Sequence, residues 1–576
     1  MRAWYFGNTT VRSPFRLRDA LVVLSSSPLQ GDLHGEQQEK QFISLLVEKE
    51  IVKPGKSKDK TYSVGRKWRV ALSQLGFLIP ELPIKCGVNQ SEIGLVDTIT
   101  PNGWRLIRSQ SVPAMQECFL RSLAAYYIPS PIEKKFSFSM FSPLRHILLI
   151  MLELEKRTGD SKLSFIEFAL IVQLTNSDDI LDKIITDILN FRSQRELAVS
   201  KRKFDGEQRE IFNKAFDYKG STLNDYADTN IRYIKATGLV QNKGRGIAFV
   251  PEKKFFIESL LINEIVPGSN KSYFLNLIKG AHLPTDDKIP ALAVLKDLIN
   301  TFKIRDIVYD FKGRIIDDSL DIRDITNIRH ELEDLLSEKN EDEYAVRQAE
   351  EWKEISAYMS LINSQKNSMT LDNGEEIKIP SNERPAYFEW ILWRAFLAIN
   401  NLCNKSRDSR RFKIDQDFLP ICTAPGSGPD LVFEFKEFVI VVEVTLMGSS
   451  RQEAAEGEPV RRHVADLVIK YESIKPVYGL FIANQIDLNT AETFRIGVWY
   501  TKNDAKMSLN IIPVKLEQFK NLFDALFTSN KIDISLIREI FDDCFLLRKE
   551  HEAPAWKREI ANVFNEKIST IRAANI

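Results

Sequence analysis

Two apolar runs joined by two polar residues constrain this chain more than any other stretch. Asp430 to Phe435 and Phe438 to Val444 are rich in Val, Ile and Phe, and Lys436-Glu437 lies between them. That pattern predicts a β-hairpin. A two-residue turn sets the pairing of everything beyond it. Asp430 lies six residues before the turn and Glu443 six after it, so the two face each other across the ladder. Directly opposed strand residues have Cα atoms roughly 4.5–5.5 Å apart. Like charges at that range destabilise a sheet, and the apolar second strand buries Glu443, which adds a desolvation cost. A divalent cation would offset both. Mg²⁺ is held by one or two carboxylates together with phosphate oxygens, so the hairpin points to phosphodiester chemistry. Lys436-Glu437 is not an Asn-Gly turn, however, and a slip of one residue would send the two acids to opposite faces.

Composition narrows the alternatives. A chain of 576 residues, 44% hydrophobic and 27% charged, is expected to fold into several soluble domains. It has no run of 18 uninterrupted apolar residues, so no membrane partner is expected. The first ten residues lack the basic-then-apolar order of a signal peptide, and a cytoplasmic location is the expectation. Five scattered cysteines form no Cys-x-x-Cys, which argues against a zinc or thioredoxin-like site. The net charge of zero hides an asymmetry. Residues 1–250 hold 36 basic and 27 acidic side chains, and the rest holds 43 and 52. Polyanion binding is therefore expected at the front of the chain.

The organisation follows. Residues 1–265 suggest small helical units with short wings. Trp68, Leu72 and Leu75 have helical spacing before a stop at Gly76, and the segment around Pro101 forms either a wing or a second helix start. A second unit has a helix from Asn224 to Gly238 followed by a hairpin from Leu239 to Val250, the layout of a winged helix. Leu163–Val172 is a further core helix. Residues 266–379 form an acidic helical linker, with long helices over Ile322–Leu336 and Tyr344–Ser364 and a turn-rich boundary over Met369–Pro380. From residue 380 onward helix and strand alternate, with a helix from Pro385 to about Cys403 and strands at Val477–Ala483 and Ile511–Val514.

Two features surround the hairpin. Glu389 shares a helix face with Trp393 and Phe396, an unusual place for a carboxylate without a partner. A polar loop from Gly448 carries Glu456, Glu458, Arg461, Arg462 and His463 behind the hairpin, where a cation suits a phosphate and an acid or histidine suits a water.

Phe388-Glu389-Trp390, Gly428-Pro429-Asp430, Glu443-Val444-Thr445 and Glu458 to His463 together resemble the cleavage domain of the AlwI-type, BstNBI-like Type IIS restriction and nicking endonucleases. Trp4 to Asp19 and Arg232 to Val240 resemble the same family, in the same order. The resemblance implies a multidomain α+β protein: a winged-helix-type DNA-recognition region over 1–265, a helical linker over 266–379 and a PD-(D/E)xK nuclease domain over 380–576. It implies Asp430 and Glu443 as metal-binding acids, Glu389 as the helix acid that joins them on the metal, and Glu456 and His463 as further catalytic positions. Mg²⁺ is the implied cofactor. Double-stranded DNA, a transient second copy or second nuclease subunit, and a cognate methyltransferase are the implied partners. Thr445 stands where such nucleases usually carry lysine.

The function expected is Mg²⁺-dependent cleavage or nicking at a fixed distance from a short asymmetric site. A DNA-binding protein with a vestigial nuclease fold would be expected to lack one of the three acids, and a repair nuclease would not need two readers. The basic residues expected on DNA are Arg12, Arg16 and Arg18 in the N-terminal segment, Arg66, Lys67 and Arg69 on the first helix, and Arg232, Lys235, Lys243 and Arg245 on the second helix and wing. Phosphate contact is the first expectation for each.

Overall fold

The chain divides into two compact units, Met1–Leu336 and Ser337–Ile576. A computed structural model describes residues 3–49, 51–52, 63–132, 136, 138–262, 266–471, 474–530 and 532–573. The division falls inside one helix, Ile322–Arg347. Among the described residues no helix is long and apolar enough to cross a membrane.

The first unit is mainly helical. The Ser63–Gln74 helix buries Trp68 and Leu72, with Leu75 buried just beyond its end. It stops at Gly76, whose φ of 73° suits glycine and where a Cβ would collide with the Leu277 carbonyl. The chain then makes one bridge, Leu78 to Ile99, rather than a hairpin. Residues Pro101–Arg108 are helical because Thr100 caps the Gly103 N–H and Pro101 fits the first helical position.

Further along, Leu163–Ser164 (β1) precedes a short helix, Phe165–Leu170, that opens with a capping box of Ser164 and Glu167. That box turns the expected Leu163–Val172 helix into strand, short helix and a 3₁₀ turn. After the Thr222–Lys235 helix, Gly238 turns the chain at φ 72° into Val240–Asn242 (β2) and Gly246–Phe249 (β3). β3 lies between β1 and β2, antiparallel to both, and a Cβ on Gly246 would collide with the Leu163 carbonyl. The N-terminal segment is pinned to the same helix. The Phe6 N–H donates to Asn230 Oδ1 at 2.8 Å, and Tyr233 donates to the Val11 carbonyl at 3.0 Å.

The second unit begins within the Ile322–Arg347 helix and continues with another helix over Trp352–Ser364, so Tyr344 closes the first rather than opening the second. The break has a cause: Arg394, buried on the Arg384–Ile399 helix, donates to Gln348, Glu354 and Glu351 at 2.6, 2.7 and 2.5 Å. The expected turn-rich boundary is a small hairpin, Ser368–Thr370 (β4) with Glu376–Lys378 (β5), which tucks Ile377 inward. The Arg384–Ile399 helix ends four residues short of Cys403, at Asn400 with φ 66°.

The main sheet holds Leu431–Glu434 (β6), Val439–Thr445 (β7) and Val477–Ala483 (β8). Beyond them come the small hairpin Val498–Tyr500 (β9) and Lys506–Ser508 (β10), and then Ile511–Lys515 (β11), the fourth strand of the sheet. The spatial order is β11-β8-β7-β6, with β6 antiparallel to β7 and the other neighbours parallel. Parallel strands covered on both faces should be apolar throughout, and all seven residues of β8 are buried. Ile440 and Val442 of β7 face a core built with the Arg384–Ile399 helix. Val439 and Val441 face a second core with Val460 and Val464 of the Arg451–Lys470 helix.

Candidate active site

β6 pairs with β7 as Leu431↔Val442, Val432↔Val441, Phe433↔Ile440 and Glu434↔Val439. The turn is closed by Phe435 N–H donating to the Phe438 carbonyl at 2.9 Å. This is the register the two-residue turn predicts. Carried one step further it sets Asp430, just before β6, opposite Glu443. Strand alternation puts both on the Val439 and Val441 face. Asp430 Oδ2 accepts the Val444 N–H at 2.9 Å.

Both acids are held against their chemistry. Burial raises the Asp430 carboxyl well above the usual range, and the Glu443 charge raises it further. Burial raises Glu443 in the same way, with Glu456 the largest charged contributor; the Asp430 N–H, Arg411 and the Asp430 carboxyl oppose the shift. Glu389 is also raised, by burial, then Asp430, then Glu443, while the Ala424 N–H, donating to its Oε2 at 2.7 Å, opposes.

Glu389 reaches the site from the other side of the sheet. Its helix neighbours Phe388 and Trp390 belong to the core that contains Ile440 and Val442. Among the described residues no group of three or more His, Cys, Asp or Glu side chains is drawn together to hold a metal ion. A three-carboxylate cage of Glu389, Asp430 and Glu443 is therefore not preformed. A buried and a half-buried carboxylate that repel each other still fit a divalent cation of the Mg²⁺ type, which takes one or two carboxylates and fills its shell with water and phosphate.

The segment from Gly448, expected as a loop, is largely helix: Arg451–Lys470, with Gly457 and Pro459 inside it. Proline removes one backbone donor from a helix. Tertiary contacts hold the first turn in place: Gln452 Nε2 donates to the Met447 and Gln485 carbonyls at 2.6 and 2.9 Å, and its Oε1 accepts the Asp487 N–H at 2.8 Å. Helical spacing puts Glu456, Val460 and His463 on one side. Nδ1 of His463 lies 2.7 Å from Glu443 Oε1. Burial, then Arg462 and Arg411, lower the His463 pKa, so the ring is neutral at physiological pH. Nε2 of His463 is buried with no hydrogen-bond partner among the described residues. Glu458 pairs with Arg462 at 3.0 Å on the exposed side, and Arg461 lies over Trp499.

The basic residues of the first unit divide by exposure. Arg12, Arg66, Lys243 and Arg245 are exposed; Arg16, Arg18, Lys67, Arg232 and Lys235 are half-buried. Arg12 pairs with Asp225 at 2.8 Å, Arg232 with Asp228 at 3.1 Å and Lys243 with Asp160 at 2.9 Å. Arg16 and Arg18 donate to the Ile51 and Ile107 carbonyls. Arg69 is different: it is buried and donates through Nε to both oxygens of Asp97, at 2.8 and 3.0 Å, a structural ion pair.

Sequence reasoning passed over Arg411, which hydrogen-bonds Ser427 at 2.9 Å and acts electrostatically on Asp430, Glu443 and His463. The signal that finds it is the bridge between Arg410 and Leu431, which joins a loop to the hairpin edge.

The family model for AlwI restriction endonucleases matches residues 73–522, and the chain belongs to that family; it is a sequence-specific DNA endonuclease. No curated protein matches the chain. Among solved structures, it is similar to the small subunit of the heterodimeric restriction endonuclease R.BspD6I, with 24% identity over 38% of this chain and 98% of that one and a TM-score of 0.27. It is also similar to the BpuJ1 endonuclease binding domain, crystallised with pyrene- and phenanthrene-modified DNA, with 12% identity over 48% of this chain and 96% of that one and a TM-score of 0.33. At TM-scores this low neither likeness defines the fold.

Proposed function

We propose that this chain is a Type IIS endonuclease that reads a short asymmetric site with its first unit and hydrolyses a phosphodiester at a fixed distance with its second. The observation that carries this reading is Asp430 set opposite Glu443 by the hairpin register, with His463 against Glu443. A PD-(D/E)xK-type site needs that acidic pair. Asp430 and Glu443 would hold Mg²⁺, and Glu389 would support them from the other face. A bound divalent ion supplies Lewis-acid polarisation of the phosphate and a more acidic water. The protein does the rest: Asp430 is locked by the Val444 N–H, Glu443 is oriented by His463, and Glu456 stands on the same helix face as His463.

Recognition falls to the first unit. The Thr222–Lys235 helix with β1, β2 and β3 supports a winged-helix reading, with Arg232 and Lys235 on the helix and Lys243 and Arg245 on the wing. Arg12, Arg16, Arg18, Arg66 and Lys67 extend the basic surface, with phosphate contact as the first role of each. A residue already paired with Asp, such as Arg12 or Arg232, would exchange a carboxylate for a phosphate.

The test is incubation of the purified chain with supercoiled plasmid and Mg²⁺, with an EDTA control, followed by sequencing of the ends. Ends at one constant offset from one short sequence are the expected result. Ends scattered without a common sequence would reject the reading.

A further inference from the structure

The acidic pair lacks the lysine usual beside it. The side chain at that position, Thr445, is committed elsewhere: its Oγ1 accepts the Met447 N–H at 3.1 Å. Thr445 is buried and uncharged, so it cannot balance negative charge on a phosphate.

The backbone brings a cation there by another route. Arg410 bridges Leu431 in antiparallel sense. One step along that register, Arg411 lies opposite Asp430, on the side away from Glu443. Opposed residues of antiparallel neighbours share a face. Arg411, Asp430 and Glu443 thus stand abreast on one face of the strand edge. Their neighbours alternate the other way: Arg410 points into the opposite core, where it grips Glu341 at 2.8 and 2.7 Å and lies over Trp393. That grip fixes the backbone from which Arg411 projects.

The guanidinium of Arg411 is placed rather than floating. Nη2 donates to Ser427 Oγ at 2.9 Å. Nη1 is sealed from solvent and makes no hydrogen bond among the described residues. It occupies the notch over Gly428, where a Cβ would collide with it. A guanidinium fixed by Ser427 beside two carboxylates makes a strand edge with both signs of charge, as a metal-bound phosphate would need.

We propose that Arg411 is a catalytic residue of this endonuclease, donating to the scissile phosphate and supplying the positive charge that Thr445 does not. This rests on the hydrolytic reading above. In the step it assists, a water oxygen forms a bond to phosphorus and one phosphorus–oxygen ester bond breaks. The leaving oxygen keeps that electron pair and takes up a proton, and water supplies the hydroxyl. Arg411 neither gives nor takes a proton; it offsets charge on the non-bridging oxygens, the role for which a planar guanidinium is suited.

The experiment uses the full chain as wild type, Arg411→Met, Arg411→Lys and Gly428→Ala. It records single-turnover cleavage of a supercoiled plasmid across Mg²⁺ concentrations, binding to a duplex carrying the mapped site in EDTA, and thermal melting. Arg411→Met should cut roughly 10²–10³-fold more slowly, the loss typical of removing one preorganised donor. Arg411→Lys should recover part of that loss, because it restores the charge without the fork. Gly428→Ala should slow cleavage with Arg411 intact, because its methyl displaces the guanidinium. The Mg²⁺ half-saturation of Arg411→Met should stay level or fall, since removing a cation beside two carboxylates favours the ion. Its affinity for DNA in EDTA should weaken several-fold. An Arg411→Met protein that cuts at the wild-type rate overturns the proposal. So does one that is slow but needs more Mg²⁺ and is not helped by lysine, which marks a purely structural role. A wild-type chain that cuts no plasmid overturns the hydrolytic reading itself, and this role with it.

Discussion

His463 Nδ1 lies 2.7 Å from Glu443 Oε1, joining a helix to the strand edge that carries the acidic pair. The contact orients Glu443. Groups that orient a metal-ligating carboxylate typically contribute 10- to 100-fold. His463→Ala should therefore slow cleavage by roughly that factor while specific DNA binding persists. His463→Asn, whose side-chain amide can take the place of Nδ1–H, should retain more activity. Single-turnover rates and gel-shift affinities measured side by side check this; equal rates for wild type and His463→Ala would remove His463 from the site.

Stability should depend on pH through His146 in the first unit. Its ring is buried against Trp4 and Phe141, with Nε2 3.0 Å from Thr175 Oγ1, and burial pushes its pKa from 6.5 down to about 4. The folded state resists protonation more than the unfolded chain does. The contribution is therefore complete above pH 6.5 and is lost as the pH falls towards 4. At about 1.36 kcal/mol per unit the loss is of order 3 kcal/mol. Chemical denaturation at pH 7 and pH 4.5 should show the drop, and His146→Phe should flatten it. A wild-type stability that does not fall over this range would contradict the burial argument.

DNA binding should reside in the first unit. A fragment of residues 1–347, which keeps the whole Ile322–Arg347 helix, should bind the mapped site without cutting it. Its affinity should fall steeply with salt through counterion release. Arg245→Ala should weaken binding, whereas Arg69→Ala should lower the melting temperature first, because it leaves Asp97 buried without its partner. A folded fragment with no DNA affinity would reject this division of labour.

How much of this was legible in the sequence depended on the distance over which each feature is set. The register of Asp430 and Glu443 follows from a two-residue turn, and it stands in the structure. The stop at Gly76 and the turn at Gly238 are similarly local. Arg411 was hidden because its place depends on the Arg410–Leu431 bridge, which joins residues 21 apart with no periodic pattern between them. The burial of Arg69 in an ion pair depends on Asp97, 28 residues downstream. Gly457 and Pro459 signal a loop by propensity, and the contacts of Gln452 with Met447, Gln485 and Asp487 override that signal. The β4–β5 hairpin was masked by its own turn residues, since Asp372-Asn373-Gly374 dominate a segment in which Met369 pairs with Ile377.

Strand choice is expected to depend on concentration. The sequence has one Asp430/Glu443 hairpin, and one such site cuts one strand. At low protein the plasmid should accumulate as nicked circles. Linear product should appear as concentration rises or when a second nuclease subunit is added, since association follows mass action. A time course at several protein concentrations separates the cases; linear DNA with no nicked intermediate at the lowest active concentration would exclude a single-site chain.

The central claim is that Asp430 and Glu443 form the cleavage site and not a recognition surface. It is tested most directly by measuring cutting and binding together for Asp430→Ala and Glu443→Ala. Each variant should bind the mapped duplex with wild-type affinity or better, because a repulsive carboxylate is gone, and should cut it at less than about one thousandth of the wild-type rate with saturating Mg²⁺. Either variant cutting at the wild-type rate would contradict the claim.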